Sequence, residues 1–275
     1  MIIIIIIIII IIIIIIAAIR LSGNEADPSF TSLVGGSRVY DEFYSPEELD
    51  RIDTLMSGVT SNSTFGKLDD REYRKCIFYR PSLYATQMII IHPNGKIDIY
   101  FIQFDEFGDP NFKRFDTENQ EVEFNDIVKM TIQKLHLLPG TYYGSFSVLD
   151  YDLADLEAYQ RYHSDYFVSP HYDRMTYFHK GKSICNASPL TFLVMLSEKN
   201  WNGGDFNIIE NSSVQNEKGE VEAIKVVNTV DFQRNVGILL NKAEHSVNRI
   251  TAPNGIKRQL LSIFMVRELG SVIVY

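Results

Sequence analysis

Apolar positions along the chain fall into three regimes. In the first, Ile2 to Ile16, Ala17, Ala18 and Ile19 run without a polar residue up to Arg20. Those eighteen residues would reach about 27 Å as a helix, just short of a bilayer's hydrocarbon core. Three readings stay open for this segment: a homopolymer tract, a single-pass anchor through residues 2–19, and a cleaved leader. The only nearby cation is Arg20, a poor orientation signal, and Ala17-Ala18-Ile19 is a weak cleavage site. A cytoplasmic location is favoured over an anchored one, and residues 20–275 are read as one domain.

The second regime is mixed. Ser45-Pro46-Glu47-Glu48 has the form of a capping box, with serine at the cap, proline at the first helical position and glutamate three residues after the serine. Leu49, Ile52, Leu55 and Met56 then share one face, which predicts a helix of about three turns. Met88–Ile91 and Ile97–Ile102 flank His92-Pro93-Asn94-Gly95 and predict a β-hairpin turning at Asn94-Gly95. Asp105 to Asp126 is acidic and without period, so a long surface loop is expected there. Asn125 is then read as the cap of a second helix carrying Val128, Ile132 and Leu135, ended by Pro139-Gly140.

In the third regime, from Tyr142 onward, short apolar runs alternate with turn residues. The expected strands are Tyr142–Leu149, Glu157–Phe167, Leu190–Leu196, Phe206–Glu210, Ala223–Val227, Val236–Asn241, His245–Ile250 and Arg258–Val266. Short strands with no helical period between them point to a jelly roll or related β-sandwich. A net charge of −9 argues against a nucleic-acid partner held by a broad basic face. Cys76 and Cys185 are too few and too far apart for a disulfide framework or a thiolate zinc site.

The candidate chemistry centres on His171-Tyr172-Asp173. On extended backbone, residues two apart face the same way, so an imidazole and a carboxylate can converge on one metal ion. The triplet alone is weak, since His163-Ser164-Asp165 has the same form. His245, at the start of a later candidate strand, supplies a second imidazole. Two histidines and one carboxylate make the facial triad of non-haem Fe(II), which leaves positions open for cosubstrate and oxygen. Arg258 opens an otherwise apolar strand, where a guanidinium needs a partner, and a bidentate carboxylate is the natural one. The turn Ala252-Pro253-Asn254-Gly255 separates His245 from Arg258, so antiparallel pairing can bring both into one cavity.

These segments together resemble the Fe(II)/2-oxoglutarate-dependent dioxygenases of the prolyl 4-hydroxylase-like branch. Val39 to Leu49 (VYDEFYSPEEL) is similar to that family's opening strand and first helix, and Tyr162 to Asp173 (YHSDYFVSPHYD) to its first metal strand. Pro189 to Leu196 followed by Trp201-Asn202-Gly203-Gly204-Asp205-Phe206 resembles its next core strand and turn. Asn235 to Val247 resembles the segment with the distal histidine, and Arg258 falls where the family's cosubstrate-binding basic residue falls. Tyr162 and Pro170 in register favour His171/Asp173 over His163/Asp165.

The resemblance covers most of 38–267 except 68–140. It departs from the family pattern at Ser188, Met195 and Leu260, although Ser262 shares a face with Arg258. It implies a double-stranded β-helix (jelly-roll, cupin-like) core at 142–267 with supporting N-terminal helices, a mainly β, α+β fold. It also implies 68–140 as a substrate-side insertion or cap, and an enzyme. The implied metal ligands are His171, Asp173 and His245, with 2-oxoglutarate held by Arg258 and contacted by Tyr162. Fe(II), 2-oxoglutarate and O2 would be required, with ascorbate in support. The implied reaction is C–H hydroxylation coupled to oxidative decarboxylation of 2-oxoglutarate, with a prolyl residue of a peptide or protein as the leading substrate. A free amino acid or small metabolite is the alternative substrate, and a non-catalytic metal-binding jelly-roll module the alternative class. Leu193, Leu239, Leu260 and Phe264 are expected to wall the cavity.

Overall fold

Runs rich in β-branched and aromatic residues become strands because such side chains pack well on a pleated surface. The computed structural model describes residues 28–57, 74–76, 87–101, 118–152, 166–179, 182–187, 189–210, 225–253 and 256–268. Their first half holds β1 (Phe30–Ser32), β2 (Arg38–Tyr40), α1 (Pro46–Ser57), β3 (Arg74–Cys76), β4 (Gln87–Ile91), β5 (Ile97–Phe101) and α2 (Glu118–Lys134). Then come β6 (Gly140–Asp152), β7 (Tyr166–His171), β8 (Met175–His179), β9 (Lys182–Ala187), β10 (Leu190–Met195), β11 (Asn202–Gly203) and β12 (Phe206–Glu210). The chain closes with β13 (Lys225–Val230), β14 (Gly237–Asn241), β15 (Glu244–Asn248), β16 (Ile250–Thr251) and β17 (Lys257–Arg267).

Two antiparallel sheets hold most of these strands, and β8–β9 and β11–β16 form separate two-stranded pairs. The large one runs β1-β2-β14-β10-β17-β6-β4-β5, with β3 also on β6, and the small one runs β13-β12-β15-β7. The backbone passes from β6 in the large sheet to β7 in the small one, back to β10, over to β12 and β13, back to β14, over to β15 and back to β17. Eight strands in two sheets, visited in this alternation, form a jelly roll. The expected fold is therefore observed.

Alternation along β17 sorts its side chains between two cores. Leu261, Ile263 and Met265 join Phe192, Val194, Phe146 and Val148 beneath the helices, where Ile52 and Leu55 of α1 and Phe124, Ile127 and Ile132 of α2 cover them. Leu260, with Leu193, Met195, Ile238 and Leu240, faces Phe167, Phe206, Ile208, Val247 and Phe232 across the space between the sheets. Leu239 lies in the helix-side core, so it does not face the space between the sheets as expected; its neighbours Ile238 and Leu240 do.

The capping box at α1 is formed, with Ser45 N–H donating to Glu48 Oε2 at 2.7 Å and Glu48 N–H to Ser45 Oγ at 3.3 Å. The hairpin at Asn94-Gly95 is also present, Ile91 pairing with Ile97. Helix α2 starts at Glu118, not after Asn125, so 118–126 is helix where a loop was expected. Acidic residues near a helix N-terminus are favoured by its dipole, and Phe124 extends the apolar stripe backwards. The strand that carries His171 is Tyr166–His171, later than the expected Glu157–Phe167, whose residues 157–165 lie outside the described ones. The β8–β9 hairpin was not expected at all. The described parts of 68–140 extend the large sheet (β3, β4, β5) and its helix layer (α2). Residues 1–19 lie outside the described ones, among which no helix is long and apolar enough to cross a membrane.

Candidate metal centre

Strand β7 is the edge of the small sheet, which is why Pro170 fits there: an edge residue need not donate to a neighbour. It ends at His171, paired in register with His245 on β15. The two rings lie 4.3 Å apart between centroids. Asp173, two residues on, turns its carboxylate towards both, with Oδ1 3.5 Å from His171 Nε2 and Oδ2 3.7 Å from His245 Nε2. One ligand atom from each of the three lies within 4.8 Å of the others, a grouping fit to hold a metal ion.

Each imidazole is oriented from behind. His171 Nδ1 lies 2.8 Å from the Ser169 carbonyl oxygen, and His245 Nδ1 lies 3.1 Å from that of Ala243. A carbonyl only accepts, so each Nδ1 carries the proton and donates, which leaves the Nε2 lone pair for a metal. Thr191, buried on β10, donates its hydroxyl to Asp173 Oδ2 at 2.7 Å and fixes the carboxylate. Phe206 stacks on the His245 ring at 5.1 Å with the planes 14° apart. Thr191 and Phe206 were not singled out from sequence. The signal for Thr191 was a lone polar side chain in the apolar run Leu190–Met195; Phe206 carried none.

The electrostatics suit a cation. Burial opposes charge on His171, but the Asp173 carboxylate and the Ser169 carbonyl outweigh it and raise the pKa above the ordinary imidazole value. Burial, only partly offset by Asp173, pushes His245 down. Burial alone would raise Asp173, but His171, His245 and Thr191 prevail and hold it below the usual carboxylate range. The His171 side chain is 40 % exposed and that of His245 is 5 %, so the cluster opens to solvent on the β7 side.

Arg258 is not at the surface: it is 2 % exposed. Its guanidinium carbon sits 5.3 Å from the Phe167 ring centroid and 5.6 Å from that of Phe232, within the inter-sheet core. Phe167 precedes His171 by four residues on β7, about 13 Å of strand. The same core therefore holds the His171–Asp173–His245 cluster and a buried cation. Tyr162, the expected second cosubstrate contact, and the competing pair His163/Asp165 lie outside the described residues.

No family model and no curated protein matches the sequence. Among solved structures, IDO from Bacillus thuringiensis aligns with 86 % of this chain and 91 % of its own, at 11 % identity and a TM-score of 0.44. An oxidoreductase of the 2OG-Fe(II) oxygenase family from Burkholderia pseudomallei aligns over 88 % of this chain and 96 % of its own, at 13 % identity and a TM-score of 0.43. A prolyl hydroxylase from Trichoplax adhaerens, solved with a hypoxia inducible factor peptide, aligns over 85 % and 84 %, at 15 % identity and a TM-score of 0.40. TM-scores and identities of this size carry no chemistry across, and the reading of the site stands on its own geometry.

Proposed function

We propose that this protein is an Fe(II)- and 2-oxoglutarate-dependent oxygenase that hydroxylates a C–H bond, with a prolyl residue in a peptide or protein as substrate. One observation carries the reading: two imidazoles and one carboxylate converge with both Nε2 lone pairs available, in the core that also buries Arg258. The donor set fits the metal, because two neutral nitrogens and one carboxylate on one side of an ion are the ligands of non-haem Fe(II). The cation fits the cosubstrate, because a buried guanidinium flanked by two aromatic faces is a strong site for a carboxylate.

In this reading His171, Asp173 and His245 hold the ion, and Thr191 and the two carbonyls hold those ligands in place. Arg258 takes the distal carboxylate of 2-oxoglutarate, and Tyr162 contributes a second contact. Leu193 and Leu260 line the space between and exclude water. When bound, iron and 2-oxoglutarate supply the oxidising power: one oxygen atom of O2 enters succinate as CO2 leaves, and the other enters the substrate C–H bond. Substrate approaches by the exposed side of His171.

The test is iron-dependent conversion of 2-oxoglutarate to succinate by the full chain, expected to vanish in His171→Ala and Arg258→Ala. Peptide mixtures are then searched for products 16 Da heavier, at proline in particular. Loaded iron with no turnover in any mixture would instead favour a non-catalytic binding module. Hydroxylated free amino acids without hydroxylated peptides would move the substrate assignment to small molecules.

A further inference from the structure

Strand β7 is weakly tied to the rest of the small sheet. It is an edge strand, paired on one side only among the described residues, and its pairing with β15 shifts register twice between His245 and Asn248. Pro170, beside His171, has no N–H to give to any ladder. Yet β7 and β15 must present His171 and His245 to one point, with the ring centroids 4.3 Å apart. The Nδ1 bonds to the Ser169 and Ala243 carbonyls aim each ring within its own segment and do nothing to hold the two segments together.

A tie lies on the other face of the sheet. Tyr172 follows His171 and Glu244 precedes His245, so antiparallel pairing of the two histidines sets Tyr172 and Glu244 opposite one another. Ile208, the β12 partner of His245, lies in the inter-sheet core, so by alternation Ile209 and its partner Glu244 are on the far face. Glu244 is only 6 % exposed, and a carboxylate that buried needs bonded partners. The Tyr172 hydroxyl is one, donating to it across the strand pair. Tyr172 itself is 39 % exposed, at the rim of the sheet. A charge-assisted bond thus bridges β7 and β15 directly behind the two histidines.

We propose that Tyr172 and Glu244 form a clamp that fixes the separation of β7 and β15 at the metal cluster, which makes them positioning residues for His171 and His245. Both act through the backbone of the two ligand strands, from the face turned away from the ion. The proposal rests on the metal-binding part of the oxygenase reading and on no part of its cosubstrate or substrate assignment.

The test is titration of Co(II) into the full chain, which reads affinity and, through the visible absorption bands, the arrangement of the ligands. Tyr172→Phe removes the bond and keeps the ring and the carboxylate. Co(II) should then bind roughly 10-fold more weakly, the low end for the loss of an outer partner of a metal ligand, and its bands should shift. Glu244→Asp, which keeps the charge but falls short of the hydroxyl by one methylene, should reproduce both changes. Glu244→Gln, which keeps an acceptor at full reach, should keep the bands of the unmodified protein. Tyr172→Phe with unmoved bands and an affinity within twofold would overturn the clamp, whatever its melting temperature. Shifted bands in Glu244→Gln but not in Glu244→Asp would overturn it as well, because the charge and not the bond would then govern the site. Either result leaves the oxygenase reading standing. Unmodified protein that binds no Co(II) is a different failure: it refutes the metal centre itself, and the clamp falls with it.

Discussion

Thr191→Val isolates the contribution of a group that touches no metal. The side chain donates one hydrogen bond, 2.7 Å long, to a carboxylate oxygen of Asp173, and it is 1 % exposed. Valine keeps the branched shape between Leu240 and Phe264, the register neighbours on either side, so packing changes little. The loss is one buried bond to a charged acceptor, about 1.5–3 kcal/mol. At about 1.4 kcal/mol per decade, that is roughly 10- to 100-fold in any equilibrium that needs the carboxylate in its native orientation. Removal of outer partners of metal ligands falls in the same range. Metal affinity, read by Ni(II) or Zn(II) titration with a competing chelator, should therefore drop by roughly 10- to 100-fold. Thr191→Ser, which keeps the hydroxyl, should recover most of it. A Thr191→Val protein with an unchanged melting transition and metal affinity within twofold of the original would refute the reasoning, because the carboxylate would then be held by something else.

Two further outcomes follow from the electrostatics and the helix layer. His171 holds its proton above the ordinary imidazole range, whereas burial keeps His245 neutral and Asp173 stays ionised to low pH. Metal must displace the proton of His171, so affinity should fall as pH falls through the raised pKa, with about one proton released per ion bound there; calorimetry in buffers of different ionisation enthalpy counts it, and zero release contradicts the picture. Lys134 Nζ meets Glu48 Oε2 at 2.7 Å with both side chains largely buried (11 % and 7 % exposed). Lys134→Met leaves that buried carboxylate with the Ser45 N–H but without its cation and should cost about 3 kcal/mol in denaturant unfolding, with Glu48→Gln added to it restoring much of the loss. A single variant as stable as the parent would show that the pair is not what joins α1 to α2.

Where the sequence was legible, the signals were local. The capping box at Ser45-Glu48 and the turn at Asn94-Gly95 are chemical statements made within a few residues, and both appear where they were read. The convergence of His171, Asp173 and His245 was legible for a related reason: His171 and Asp173 share a face through backbone geometry alone, and His245 stood at the head of a strand. What could not be read depends on neighbours distant in the chain. Strand β7 contains Pro170 and looks broken until its place at a sheet edge is known. The start of α2 was hidden because its first turn is acidic, which suits a helix N-terminus as well as it suits a loop. Leu239 and Leu240 are indistinguishable in sequence, and only the sheet order tells which of them meets the helices. Thr191 gained its meaning from an aspartate eighteen residues away.

The two imidazoles share one detail: each Nδ1 bonds the carbonyl two positions earlier in its own segment, Ser169 for His171 and Ala243 for His245. The tautomer of each imidazole is thus written into the main chain, while among the described residues Phe206 alone stacks on a ring, that of His245. Ligand chemistry and cavity shape are in consequence separable. Substitution at Leu193, Leu260 or Phe264 can redraw the volume beside the cluster while the donor atoms keep their aim. A change that bends the backbone at 169–171 or 243–245, or one that removes the Phe206 face, is what turns a nitrogen away. Substitutions at Leu193, Leu260 and Phe264 therefore leave the aim of both Nε2 atoms to the backbone.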